Sequence, residues 1–383
     1  MRLLTFFILC FLVGCQSNSS PDSLQIGAAQ MDKYIGLLQG KRVALVANQS
    51  SEVNGVHLVD TLLSMNIHVE KVFAPEHGFR GLADAGSQIH DTTDKKTGLA
   101  IYSLYGSSKK PTKKSLDLVD IMVFDLQDVG ARFYTYISTL HYVMEACAEN
   151  NIPLLVLDRP NPNGHYVSGP VLEPKFASFV GMHPIPIVHG MTLAEYAQMI
   201  NGEYWLSDSL QCQLYCQEIN NYTHQTSYNL PVKPSPNLPN SQSISLYPSL
   251  CLFEGTDLSV GRGTKHQFQI LGSPFLDSCS FSFTPISKVG ATYPKHQDKE
   301  CYGWDLHNIS FGKDINLSYL IDSHRQYMSQ KRSFFNSFFD KLSGSTELRK
   351  QIESGWTASQ IKETWADDLE DFKKMRQLYL LYP

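Results

Sequence analysis

Several loops are missing from this 383-residue chain. No GxGxxG follows its first apolar strand and no GxxxxGK[ST] occurs anywhere. The glycine-lined turns that cradle a dinucleotide or a triphosphate are therefore absent. No GxSxG is present, which argues against an esterase with a nucleophile elbow. Neither HExxH nor HxH occurs among the 13 histidines, and no CxxC occurs among the 8 cysteines. Zinc clusters and dithiol redox motifs are thereby disfavoured. Charge is sparse: Asp, Glu, Lys and Arg make up 18% of the chain, with a formal net charge of −5. A mildly acidic chain is a poor partner for nucleic acid.

Long apolar runs are equally scarce. Leu3 to Val13 is apolar but too short to span a bilayer. It follows the single basic residue Arg2 and ends in Leu12-Val13-Gly14-Cys15. That order reads as a lipoprotein leader (1–14), with Cys15 as the lipidation site and a polar tether up to residue 24. Six further cysteines remain, an even number that permits disulfides in an exported protein. Cys212 and Cys216 lie in one alternating run, about 13 Å apart along a strand and too far to bond each other. A small buried thiol is the default reading for the cysteines.

What is present is an alternation of apolar strands and amphipathic helices. Strands are expected at 42–48, 67–74, 118–126 and 152–158. Helices are expected at 57–65, 135–150 and 191–202, the last with Thr192 as its N-cap. Strands with no polar face argue for a parallel α/β sheet covered on both sides. The four prolines of "LPVKPSPNLPNSQS" (230–243) interrupt the rhythm, and a boundary is placed there. Residues 25–240 form the first domain and 241–383 a smaller α+β domain, with clear helices at 315–329 and near the C-terminus.

Each early strand runs into a polar, turn-rich loop. These are "NQSSEVNG", "PEHGFRGLADAG", "QDVGARFYTY" and "RPNPNGHYVSGPVLE". In an open parallel sheet such loops converge in the crevice beyond the carboxyl ends of the strands. They bring Asn48, Glu76, His77, Arg80, Asp125, Asp128, Arg132, Tyr136, Arg159, Asn161 and Glu173 to one edge. Glu76 follows Pro75 and lies close to Phe79. A glutamate partly buried beside a ring is a better acid near neutral pH. The alternative is that Glu76 pairs with Arg80 to brace the loop. Asp128 is either a catalytic carboxylate or a turn acid. Arg132, Arg159 and Arg262 sit beside turn residues, as suits bidentate capture of a carboxylate, or else they form ion pairs between loops. His77 with Asp125 is a conceivable metal pair, but no cofactor is expected.

At these loops the sequence resembles the exo-β-N-acetylmuramidases of the NamZ type. The resemblance rests on "VALVANQSS", "VFAPEHGFRG", "MVFDLQDVGARFYTYISTL", "VLDRPNPNG", "GPVLE", "GMHPIPIVHGMTLAEYAQMING", "PSPNLPN", "LYPSLCLFEGT" and "VGRGT", from about residue 42 to 264. It implies a Rossmann-like domain, a smaller C-terminal domain and an active-site cleft between them. It implies release of N-acetylmuramic acid from the non-reducing end of peptidoglycan fragments by cleavage of a β-1,4 bond. It also implies that Glu76 is a catalytic carboxylate. A glycosidase needs a protonated acid and usually a second carboxylate. Glu76 fits the first role, and Asp125, Asp128 and Glu173 are open candidates for the second. The rival readings are a lipid-anchored muropeptide-binding protein and a metal-dependent hydrolase.

Overall fold

The computed structural model describes residues 23–76, 78–79, 91–106, 108–277 and 280–383. Cys15, His77 and Arg80 lie outside them.

In chain order the first half runs α1 (Met31–Leu38), β1 (Arg42–Ala47), a small hairpin of β2 (Glu52–Val53) and β3 (Val56–His57), α2 (Leu58–Ser64), β4 (His68–Ala74), β5 (Thr92–Thr93), β6 (Ala100–Ser103), β7 (Ile121–Asp125), α3 (Tyr136–Asn150), β8 (Leu154–Leu157), α4 (Leu193–Gly202) and β9 (Leu214–Gln217). Seven strands form one sheet in the order β5-β6-β4-β1-β7-β8-β9. All neighbours are parallel except β5, which runs antiparallel to β6 at the edge. With β5 set aside, this is the doubly wound Rossmann order, and the side on which strands are added reverses between β1 and β7.

The apolar strands divide by alternation. Ala44, Val46, Phe73, Met122, Phe124 and Val156 enter one core cluster. Val43, Leu45, Val72, Ile121, Val123 and Leu155 enter the other. Helices α1 and α2 cover the second face through Tyr34, Leu38, Leu58 and Leu62. Helices α3 and α4 cover the first through Ile137, Leu140, Met144, Ala197 and Ile200. Each fully buried aliphatic side chain contributes roughly 1.5–3 kcal/mol. Helix α4 starts on a full capping box: Thr192 accepts from the Glu195 amide while Glu195 accepts from the Thr192 amide.

The second half runs α5 (Ser241–Leu250), β10 (Ile270–Ser273), β11 (Ser282–Phe283), β12 (Cys301–Asp305), α6 (Ser318–Ser329), α7 (Phe339–Ser343), α8 (Glu347–Glu353), α9 (Ala358–Glu363) and α10 (Ala366–Gln377). Its antiparallel sheet has the order β10-β12-β11. Its apolar residues, among them Phe253, Leu271, Tyr327 and Phe339, belong to the same cluster as the α3 face. The two halves therefore share one core. Pro248 sits inside α5 and cannot donate to the Ile244 carbonyl. The Asn163 amide donates to that carbonyl at 3.2 Å, which ties the "RPNPNG" loop to α5.

The described cysteines, Cys147, Cys212, Cys216, Cys251 and Cys301, are free thiols. No helix among the described residues is long and apolar enough to cross a membrane.

Candidate active site

The crevice at the reversal point is filled by the protein's own polar residues. Asp125 ends β7 and is wholly buried. Its two oxygens accept from Arg159 Nε at 2.6 Å and Nη2 at 2.9 Å. Arg159 also donates to the Glu52 carbonyl. Asn48 follows β1, donates to the Tyr136 hydroxyl at 2.6 Å and accepts from Ser50. Asn161 donates to the Met191 carbonyl and accepts from the Asn163 amide. Its side chain also packs against Gly130, which has φ 73°. A Cβ at Gly130 would fall 2.1 Å from Asn161 Oδ1, so only glycine fits. These residues form a buried polar floor, and none of them is among the described residues that line the cleft shared with the C-terminal half.

Asp128 also stays in this floor. Its Oδ2 accepts from the Gly130 amide at 2.6 Å, the turn role weighed above, while Oδ1 is buried without a partner. Burial pushes its carboxyl up to about 7, against the pull of the Gly130 and Val129 amides.

The open cleft lies beside this floor, between the sheet's edge loops and the C-terminal half. It has a volume of about 730 Å³, within the range of small-molecule sites. Glu76, Phe133 and Thr135 line it on the sheet side, and Tyr247, Glu254, Arg262, Tyr293 and Lys295 line it on the other. Glu76 is half-buried and accepts a hydrogen bond from Thr135 Oγ1 at 2.9 Å. The turn that presents it closes through the Gly78 amide donating to the Pro75 carbonyl, with Gly78 at φ 75°. Phe79, which the sequence placed close to Glu76, packs inward. It is buried in the α1/α2 core, its ring 4.8 Å from that of His57. Phe133, Tyr134, Tyr247 and Phe268 line a small pocket together with Glu76.

The three arginines separate clearly. Arg159 is committed to Asp125. Arg132 is fully buried, donating through Nη1 to the Pro170 and Ile185 carbonyls and through Nη2 to those of Leu342 and Ser343. Burial pushes it down to about 9, so it stays charged at neutral pH. Arg262 alone of the three lines the cleft. It holds Glu254 with Nε–Oε1 at 2.7 Å and Nη2–Oε2 at 2.9 Å. Burial alone would raise the Glu254 carboxyl, but Arg262 overcomes it, with help from Lys295, and the net shift is downward. Burial also lowers Lys295, whose ammonium donates to the Thr256 and Phe253 carbonyls. Glu173 stands apart, partly exposed and paired with Lys175 at 2.6 Å.

Glu254 and Lys295 were missed from sequence. Glu254 lay inside the quoted segment "LYPSLCLFEGT", and its partner Arg262 lay in the next one. The eight-residue spacing between opposite charges was the available signal. Among the described residues, no group of three or more His, Cys, Asp or Glu is arranged to hold a metal ion. Asp125, one half of the conceivable metal pair, is engaged by Arg159.

Comparisons with known proteins agree on a single family. The family model "Exo-beta-N-acetylmuramidase NamZ, N-terminal" matches residues 43–242, and its C-terminal counterpart matches residues 245–382. The chain is 37% identical to the peptidoglycan beta-N-acetylmuramidase NamZ of Bacillus subtilis (strain 168), covering 98% of this chain and 99% of that protein. Crystal structures of two DUF1343 family proteins from Bacteroides fragilis NCTC 9343 superpose on it. One is 48% identical with a TM-score of 0.88, covering 94% of this chain and 99% of that one. The other is 28% identical with a TM-score of 0.82, covering 95% and 100%.

Proposed function

This chain belongs to the NamZ family of exo-β-N-acetylmuramidases, which makes it a glycoside hydrolase of peptidoglycan, and from that membership we propose how its cleft works. Glu76 is the general acid. It delivers its proton to the leaving sugar oxygen as the bond from C1 of the terminal N-acetylmuramic acid breaks. The observation that carries this reading is the position of Glu76: a carboxyl at the carboxyl edge of a Rossmann sheet, oriented by Thr135 and facing the cleft.

The opposite wall carries two cations, Arg262 and Lys295, against one carboxylate, Glu254. One excess positive charge there suits the lactyl carboxylate that distinguishes N-acetylmuramic acid from N-acetylglucosamine. Arg262 is the residue assigned to that group. A chromogenic β-N-acetylmuraminide should be turned over with a kcat/KM on the order of 10²-fold or more above its N-acetylglucosaminide counterpart. Arg262→Met should collapse that ratio. Comparable rates of the wild-type enzyme on the two sugars would rule out lactyl recognition.

Attachment to a membrane through Cys15 belongs to the same reading and rests on Leu12-Val13-Gly14-Cys15. Cys15→Ala should abolish labelling by a fatty-acid probe in cells. Equal labelling of both forms would remove the anchor from the account.

A further inference from the structure

We propose that the cavity on the α3 side of β4 and β6 is a second carboxylate-binding site, which holds the glycan chain beyond the sugar that leaves. Its ligand is a carboxylate on the third sugar of the chain, the N-acetylmuramic acid that follows the leaving N-acetylglucosamine. The site rests on the muramidase reading of the Glu76 cleft.

Strand β4 carries one residue that does not suit its place. Strands covered on both faces read as near-continuous apolar runs, yet Lys71 stands in β4 and is only 7% exposed. The pairing of β1 with β4 slips between Val43 and Ala44: Val43 pairs with Val69, but Ala44 pairs with Lys71 rather than Glu70. Such an irregularity re-aims the side chains that follow it. It puts Lys71 on the α3 side with Phe73, while Val69 and Val72 stay on the other.

The ammonium is short of partners there. It can donate three hydrogen bonds and makes one, to the Asp117 carbonyl at 2.7 Å. The Tyr102 ring centroid lies 5.7 Å away. Among the described residues no carboxylate pairs with it. A buried cation without a counter-charge is destabilising, and an anion brought to it offsets that penalty. Lys71 lines a cavity of about 670 Å³ together with Phe73, Tyr102 and Tyr105. The other charges in the lining do not cancel it. Asp91, Asp117 and Lys114 are exposed to solvent, which screens them. Lys110 is held by Glu145 and Glu149.

Tyr105 joins this cavity to the reaction, because it lines the catalytic cleft as well. Phe179 lines the cleft beside it, with the two ring centroids 6.0 Å apart. With the terminal N-acetylmuramic acid held at the Arg262 wall, the rest of the chain leaves past these rings and enters the cavity. Lys71 stands five positions before Glu76, ~16 Å back along the strand direction at ~3.3 Å per residue. That reach exceeds one sugar ring, so the ligand belongs to the unit beyond the leaving sugar. The two sugars alternate in peptidoglycan, and that unit bears a lactyl group. Its carboxylate is either free or the root of a stem peptide with carboxylates of its own.

The test compares the full enzyme on the disaccharide of N-acetylmuramic acid and N-acetylglucosamine and on the tetrasaccharide of two such units. The tetrasaccharide should be cleaved with a kcat/KM on the order of tenfold above the disaccharide. Lys71→Met should bring that ratio to about one. Converting the inner lactyl carboxylate to its methylamide should do the same with the wild-type enzyme, which makes the test independent of any variant. A gain that needs a stem peptide on the inner N-acetylmuramic acid, and that vanishes in Lys71→Met, would assign the carboxylate to the stem. Equal kcat/KM on the disaccharide and on both forms of the tetrasaccharide would overturn the proposal. So would a gain that persists in folded Lys71→Met, or one that survives amidation on a chain without a stem. Inactivity of the wild-type enzyme on every muraminide would instead sink the reading of the cleft.

Discussion

Glu76→Gln is expected to lose about 10²–10⁴-fold in kcat on natural muropeptides while melting at the wild-type temperature. The amide keeps an oxygen to accept the Thr135 hydroxyl, so the turn that follows β4 should hold. What it removes is the proton. A sugar alkoxide is a poor leaving group and needs that proton, whereas the phenolate of an aryl muraminide departs largely unaided. The aryl substrate should therefore be spared much of the loss. Equal loss on both substrates with a lowered melting temperature would mark Glu76 as a loop brace. Retention of most activity on muropeptides would remove it from the chemistry.

Asp125→Asn should destabilise the fold by about 3–5 kcal/mol, since it leaves the buried Arg159 cation without its partner. Asp125 is fully buried, and Arg159 joins the end of β7 to the hairpin after β1 through the Glu52 carbonyl. The urea midpoint reads the effect. Replacing both members, Asp125→Leu with Arg159→Met, should recover part of it, because no charge is then stranded. An Asp125→Asn protein of native stability that has lost all turnover would reverse the assignment and make Asp125 a chemical group.

The scaffold was largely legible in the sequence because its signals are local. Strands β1, β4, β7 and β8 announce themselves as runs without a polar face, and Thr192 with Glu195 announces the start of α4. Helix α5 was hidden by the prolines before it and by Pro248 within it. Of the residues that line the cleft, the sequence singled out Glu76, where a strand, a proline and a glycine fix the position of one acid, and Arg262 only as one of three arginines beside turns. The arginines were not separable, because their partners are set by the fold. Arg159 meets a residue 34 positions away, and Arg132 meets carbonyls up to 211 positions away. A guanidinium beside a turn looks the same in sequence whether it faces substrate, a carboxylate or four peptide oxygens.

Arg132 also bears on how the enzyme moves. Its guanidinium leaves the sheet domain and ends among the last carbonyls of α7, where Gly344 (φ 86°) leaves room for it: a Cβ there would fall 2.8 Å from Nη2. Interfaces between domains usually slide or hinge. This one is pinned by a charge that would have to give up the Leu342 and Ser343 carbonyls before the halves could part. The gap between Glu76 and the Arg262 wall is thus closer to a slot cut in a single block than to a jaw.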